Sequence, residues 1–202
     1  QRLPVKPKRR VIVLISLFLG FCAASAFVSV WKNVHGGVKS VRVIEKSLGV
    51  NVYSRIPKVD GYSKSEMIPF PVIDDPHGEI SESLRNVQFS VELSMLKTPC
   101  VLAVASSHAL VGKSFVTANL GILFAQSGKK TLIIDSNFYK GSIVTAFKCP
   151  RKEGLAEVLM GLIPKDQAIQ NTRINGLSVL ASGKMLASPA EILRSAKFPG
   201  FI

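Results

Sequence analysis

The chain has 202 residues, 47% of them hydrophobic, and a formal net charge of +13. That length suits one domain plus an appendage and excludes a peptide too small to bury a core. Cys22, Cys100 and Cys149 stand far apart without CxxC or Cys/His spacing, which excludes a zinc module and a disulfide framework and predicts buried or inert thiols in a reducing compartment.

The positive charge gathers at the start, where residues 1–46 carry nine Lys/Arg against Glu45 alone. Gln1–Arg10 (QRLPVKPKRR) is basic and proline-spaced, hence extended. Val11–Trp31 holds no charge; as a helix it would span about 31 Å, enough for a bilayer core. Trp31 and Lys32 suit the interface at its far end. A signal peptide is the rival reading, with Ala23-Ala24-Ser25-Ala26 as a mimic of a cleavage site, but the apolar run continues through Phe27–Val30. A nucleic-acid reading of the basic end fails, because its charge flanks an uncharged apolar span. Val38–Ser47 predicts a short amphipathic helix whose basic face suits anionic lipid or water alike. Val50–Tyr53 alternates like a strand, and Lys58–Gly78 is rich in Pro, Gly, Ser and Asp, which predicts a linker. Glu79–Lys97 repeats Ile80, Leu84, Val87, Val91 and Met95 at helical spacing.

Val101–Val104 is a short β-branched apolar run and predicts a buried strand. A polar loop follows, then Gly112-Lys113-Ser114, then a helix closed by Gly128. Strand, loop, Gly-Lys-Ser and helix form the context of a phosphate-binding P-loop. Backbone donors from Ser107, His108, Ala109, Leu110, Val111 and Gly112 would cradle the phosphates. Lys113 would reach the β- and γ-phosphates, and Ser114 would ligate Mg²⁺. Ser107 stands where the full pattern has its first glycine. The next run, Lys130–Asp135, ends in a carboxylate where a parallel neighbour would set an acid beside the metal. ATP with Mg²⁺ is the predicted ligand pair, and a cytosolic nucleotide sets this side of the span in the cytoplasm. The flanking charges (Arg2, Lys6, Lys8, Arg9 and Arg10 against Lys32, Lys39, Arg42 and Lys46) slightly favour the opposite orientation, with the N-terminal side in the cytoplasm, but by one residue only, and the nucleotide site outweighs them. Ser136–Gly141 reads as a loop, Gly154–Ile163 as a helix, Leu177–Ala181 as a strand, and Ser188-Pro189 as the start of a last helix. The fold class is α/β: one transmembrane helix, then a partial P-loop NTPase-like parallel sheet flanked by helices.

These blocks together (PVKPKRR before the apolar span, LGVNVYSRIP, ESLRNVQFS, the P-loop, IIDSNFYKG, GLAEVLMGLI, LSVLASG and SPAEILRSAKF) resemble the bacterial polysaccharide co-polymerases fused to a tyrosine autokinase, the Wzc-like family of capsular exopolysaccharide biosynthesis. The resemblance covers nearly the whole chain. It implies residues 1–10 as a periplasmic juxtamembrane segment, 11–31 as the transmembrane helix, 32–78 as a cytoplasmic juxtamembrane segment and linker, and 79–202 as a tyrosine-kinase domain truncated at its C-terminus. It implies an inner-membrane location, chain-length control, and ATP-dependent phosphorylation of tyrosines on neighbouring copies in a ring. A tyrosine phosphatase and the polysaccharide export machinery are the further partners it implies. Lys113 and Asp135 take the catalytic roles, Ser114 and Asp135 the metal, and Glu79 and Arg85 part of an oligomer-interface motif. The chain departs from the family pattern at Asn137 (usually Asp), Tyr139 (usually Arg), Glu82 (usually Arg) and Leu110 (usually Gly or Ser).

Opening on Gln1 and ending at Ile202, without a third nucleotide motif or a tyrosine cluster, the chain reads as a fragment that would not phosphorylate alone. Two rivals stand beside the kinase: a non-catalytic nucleotide-binding chain-length regulator, favoured by Asn137 and Glu82, and a membrane-tethered partitioning-type ATPase, which lacks its usual extra loop lysine here. His108, Lys140, Tyr53, Tyr62 and Tyr139 read as ordinary loop or surface residues in the first instance.

Overall fold

The computed structural model describes residues 9–35, 41–59, 67–94, 99–139, 141–150 and 153–184. The expected helix at Ser188-Pro189, the side chain of Lys140, Tyr62, Met95 and the lead-in up to Lys8 lie outside them. The chain divides into two compact units, Gln1–Val52 and Tyr53–Ile202.

In the first unit α1 (Arg9–His35) is one helix of 27 residues. Its large apolar side chains from Val11 to Trp31 are exposed all round, and Arg10–Trp31 is long and apolar enough to cross a membrane. Arg9 and Arg10, expected in the extended lead-in, are already helical. Ser16 returns its hydroxyl to the Ile12 carbonyl, so its polar group is satisfied within the helix. α2 (Val41–Leu48) closes at Gly49, whose N–H donates to the Glu45 carbonyl at 2.9 Å. Val50–Tyr53 is not a strand: it has no ladder among the described residues, and the Val52 N–H is taken by the Glu45 carboxylate. Alternation fixes which way side chains point, but a strand needs a neighbouring edge.

The second unit is built on a three-stranded sheet in the order β1 (Thr131–Ile134), β3 (Leu177–Leu180), β2 (Ile169–Asn171). β1 and β3 are parallel, with Thr131 opposite Leu177 and Ile134 opposite Leu180. β2 runs antiparallel to β3, so the sheet is mixed where a parallel one is predicted. The reason is the connection: Thr172–Gly176 is too short for the crossover that parallel strands need. The apolar run Val101–Val104 also departs from expectation. It joins no sheet among the described residues, and Val101 and Leu102 are exposed.

Helices cover both faces. On one, α5 (Lys113–Gln126) sets Ala118, Ile122 and Leu123 against Ile133, Leu177 and Val179. α4 (Glu79–Ser94) lies beyond it, burying Leu84 completely and linking Gln88 Nε2 to Ser127 Oγ at 2.7 Å. On the other face Ile134 and Leu180 meet Phe138, α7 (Leu155–Met160) and α8 (Lys165–Ala168). Glu157 of α7 is buried and accepts the N–H groups of Gly154 (2.7 Å) and Lys184 (3.1 Å), which ties the loop after β3 to that helix.

The segment expected as a linker is, in its second half, part of this core. Ile68 and Val72 are buried, α3 (Pro71–Asp74) packs with α4 and α5, and the Phe70 ring stacks on Phe147 at 5.0 Å. Asn119 of α5 donates to the Pro69 carbonyl at 3.1 Å. Proline and glycine punctuate the segment, and two buried apolar side chains are enough to dock it.

Candidate functional site

Helix α5 begins at Lys113 because Gly112, at φ +97°, turns the chain through the left-handed region that side chains disfavour. Gly112 offers no capping side chain, and the start of a helix is a place where N–H groups and the helix dipole suit an anionic acceptor. Leu110 also sits left-handed, at φ +61°, with its side chain 89% exposed. Holding a leucine there costs on the order of 1 kcal/mol.

The expected cradle residues form an open loop that is bonded to itself. Lys113 Nζ donates to Ser106 Oγ at 2.9 Å and to the His108 carbonyl at 3.1 Å. Ser106 Oγ in turn donates to that carbonyl at 2.7 Å, and Ser107 Oγ lies 2.7 Å from His108 Nδ1. Ala109 and Val111 are exposed. Lys113 therefore lies across its own loop, with the ammonium on neutral oxygens that a phosphate would outcompete.

Asp135 directly follows β1, and its N–H donates to the Leu180 carbonyl at 2.9 Å, which holds it beside the end of β3. The residue is buried, and both carboxylate oxygens accept backbone N–H groups: Oδ1 from Asn137 at 3.0 Å and Oδ2 from Ile143 at 3.3 Å. Asn137 spends its own side-chain oxygen on the Tyr139 N–H at 3.2 Å. Phe138 anchors the loop in the core while Tyr139 is exposed. The chain then enters α6 (Ser142–Ala146), where Ser142 Oγ donates to Ser114 Oγ at 3.3 Å. Ser114 of α5 and Asp135, just after β1, thus contact the adjacent residues Ser142 and Ile143.

A hydroxyl and a carboxylate are hard oxygen donors. That set fits Mg²⁺, which takes one or two protein oxygens and otherwise keeps waters or phosphate oxygens. Among the described residues no three His, Cys, Asp or Glu gather, so no closed protein cage competes with this spot. An open groove of about 580 Å³ lies at the opposite end of the strands, lined by Leu132, Ile169, Asn171 and Gly176, and has no part in the site.

The other expected residues lie elsewhere. Glu79 and Arg85 are on α4, where Arg85 is engaged by Glu82 Oε1 (2.8 Å) and the Pro76 carbonyl. Tyr53 is exposed. All three cysteines are free; Cys22 and Cys100 are exposed rather than buried, and only Cys149 is shielded, where burial raises its thiol pKa. Ser106 and Ser142 are the site residues that sequence reasoning does not find, since a lone serine carries no spacing signal.

No family model matches the chain. It is 30% identical over 207 residues to a tyrosine-protein kinase, ptk, of Acinetobacter johnsonii, covering 98% of this chain and 28% of that protein. It is 28% identical over 206 residues to a putative tyrosine-protein kinase in the cps region of Klebsiella pneumoniae, covering 96% of this chain and 28% of the relative. The chain therefore spans little more than a quarter of the length of these curated relatives. Among solved structures it is similar to the BceF tyrosine kinase domain, with a TM-score of 0.72 and 27% identity over 82% of this chain and 70% of that one.

Proposed function

We infer that this chain, a homologue of the bacterial tyrosine-protein kinases of the capsule and exopolysaccharide type, binds ATP with Mg²⁺ at Gly112–Ser114 and Asp135. In the whole protein that site transfers the γ-phosphoryl group to tyrosine hydroxyls, chiefly on neighbouring copies. The observation that carries the reading is that Ser114 and Asp135, from separate parts of the chain, contact the adjacent residues Ser142 and Ile143. Lys113 would exchange Ser106 and the His108 carbonyl for phosphate oxygens, a stronger charge-assisted pairing. The N–H groups from Ser107 to Ser114 would hold the phosphate chain, and Ser114 with Asp135 would hold the metal. When bound, Mg²⁺ supplies positive charge against the phosphoryl oxygens.

In this reading α1 anchors the protein in the bacterial inner membrane, with the P-loop unit in the cytoplasm and residues 1–10 in the periplasm. The packing of Ile68 and Val72 argues for a catalytic unit that begins near Tyr53, ahead of the boundary at residue 79. Chain-length control, assembly through Glu79 and Arg85, a phosphatase and the export machinery belong to the same proposal. A non-catalytic regulator has one observation in its favour: Asn137 brings no second acid, and its oxygen is spent on a turn.

Titration of the 202-residue chain with a fluorescent ATP analogue tests the reading. Lys113→Ala should weaken binding by about tenfold or more, and Asp135→Asn should remove the dependence on Mg²⁺. Wild-type binding that ignores both substitutions would refute the site. Tyrosine labelling of the full-length protein separates the kinase from the regulator.

A further inference from the structure

We propose that Ser142 is a positioning residue of the nucleotide site, orienting the Ser114 hydroxyl toward the metal; this rests on the nucleotide-binding reading above. Ser142 Oγ donates to Ser114 Oγ at 3.3 Å, and the N–H of the next residue, Ile143, donates to Asp135 Oδ2 at the same distance. One dipeptide thus touches both predicted metal-site residues.

Its own placement is well defined. Gly141, at φ +55°, turns the chain into α6, and Ser182 Oγ lies 3.3 Å from where a Cβ on Gly141 would sit. Ile143 and Val144 are buried at 3% and 1% exposure, so the backbone at Ser142 is pinned from behind. A hydroxyl oxygen carries two lone pairs and one proton. With one lone pair of Ser114 engaged by Ser142, the other and the proton are left in set directions, for a cation and a phosphate oxygen. Without that contact the Ser114 hydroxyl is free to turn among its staggered rotamers. At 3.3 Å the bond is long for a hydroxyl pair, so its effect is modest.

The test is binding of a fluorescent ADP analogue to the full 202-residue chain in detergent, with Mg²⁺ and with EDTA. Ser142→Ala should weaken binding roughly three- to tenfold in Mg²⁺ and not at all in EDTA. Ser142→Thr should restore the wild-type value. Added to Ser114→Ala, Ser142→Ala should cost nothing further, because it acts through Ser114. Equal losses in Mg²⁺ and EDTA, additive losses, or a loss that tracks a lowered thermal midpoint without nucleotide would each overturn the proposal. If Ser114→Ala loses the Mg²⁺ dependence while Ser142→Ala binds like wild type, this inference alone fails. If the wild-type chain does not bind the analogue, the nucleotide-binding reading fails and takes this inference with it.

Discussion

Helices α1 and α5 are both largely apolar and lack a distinct polar face, yet their surroundings are opposite. The large side chains of α1 between Val11 and Trp31 are 46–72% exposed. In α5 the run Ala118–Leu123 is buried from end to end, between the sheet on one side and α3 and α4 on the other. An all-round apolar helix must be enclosed, and the protein encloses α5 itself. α1 has no such enclosure among the described residues and is long and apolar enough, by length and composition, to cross a membrane. Length separates the two helices more clearly than their hydrophobicity does, 27 residues against 14.

The sharpest way to break this contrast is a charge in each helix. Ile122 is fully buried, so Ile122→Lys should cost about 3–5 kcal/mol or more and unfold the second unit in urea titrations. Leu19→Lys should leave that unfolding curve in place and instead reduce flotation with lipid vesicles. A smaller effect comes from a matched pair of glycines. A Cβ on Gly121 would lie 2.5 Å from Ile133 Cδ1, whereas one on Gly20 would meet nothing within 4 Å. Gly121→Val should therefore cost about 1–3 kcal/mol, while Gly20→Val leaves the urea midpoint unchanged.

The smallest effect lies just past the end of α5, where Lys129 Nζ sits 2.6 Å from Glu92 Oε1. The hydrogen bond from Lys129 holds the Glu92 carboxyl below its ordinary pKa; burial opposes this and the Gln88 amide adds to it. A depressed folded-state pKa stabilises the fold above the unfolded glutamate value, near 4.3, and that stability is lost as pH falls through the folded-state value. Glu92→Gln should cost less than about 1 kcal/mol at neutral pH, since the pair is half exposed. Its urea midpoint should converge with the wild type's in acid. A gap that persists at low pH would show that packing, not charge, sets the contribution.

Much of the second unit was legible in the residues. Gly112 and Gly128 bracket α5, and the runs ending at Asp135 and Ala181 gave the parallel pair. Val101–Val104 has the same composition as those strands but no ladder, because propensity describes a residue's preference and not the presence of a partner edge. β2 and α8 have three and four residues, too few for a period to register. The docked segment at Ile68–Val72 was hidden by its prolines. In the site, Lys113, Ser114 and Asp135 stood out through spacing. Ser106 and Ser142 did not, since their roles exist only once the loop closes and α6 meets α5.

The docked segment ahead of α4 bears on how the protein can be shortened for study. A version that starts at Glu79 removes Ile68, Phe70 and Val72, uncovers the Phe147 ring, and takes away one of the two carbonyls that the Asn119 amide serves. Asn119 lies six residues beyond Lys113 on the same helix, so solubility and, under the proposed function, affinity for the ATP analogue should decline together. Trimming to Tyr53 instead discards the apolar N-terminal helix while leaving the helix that carries Lys113 fully clothed.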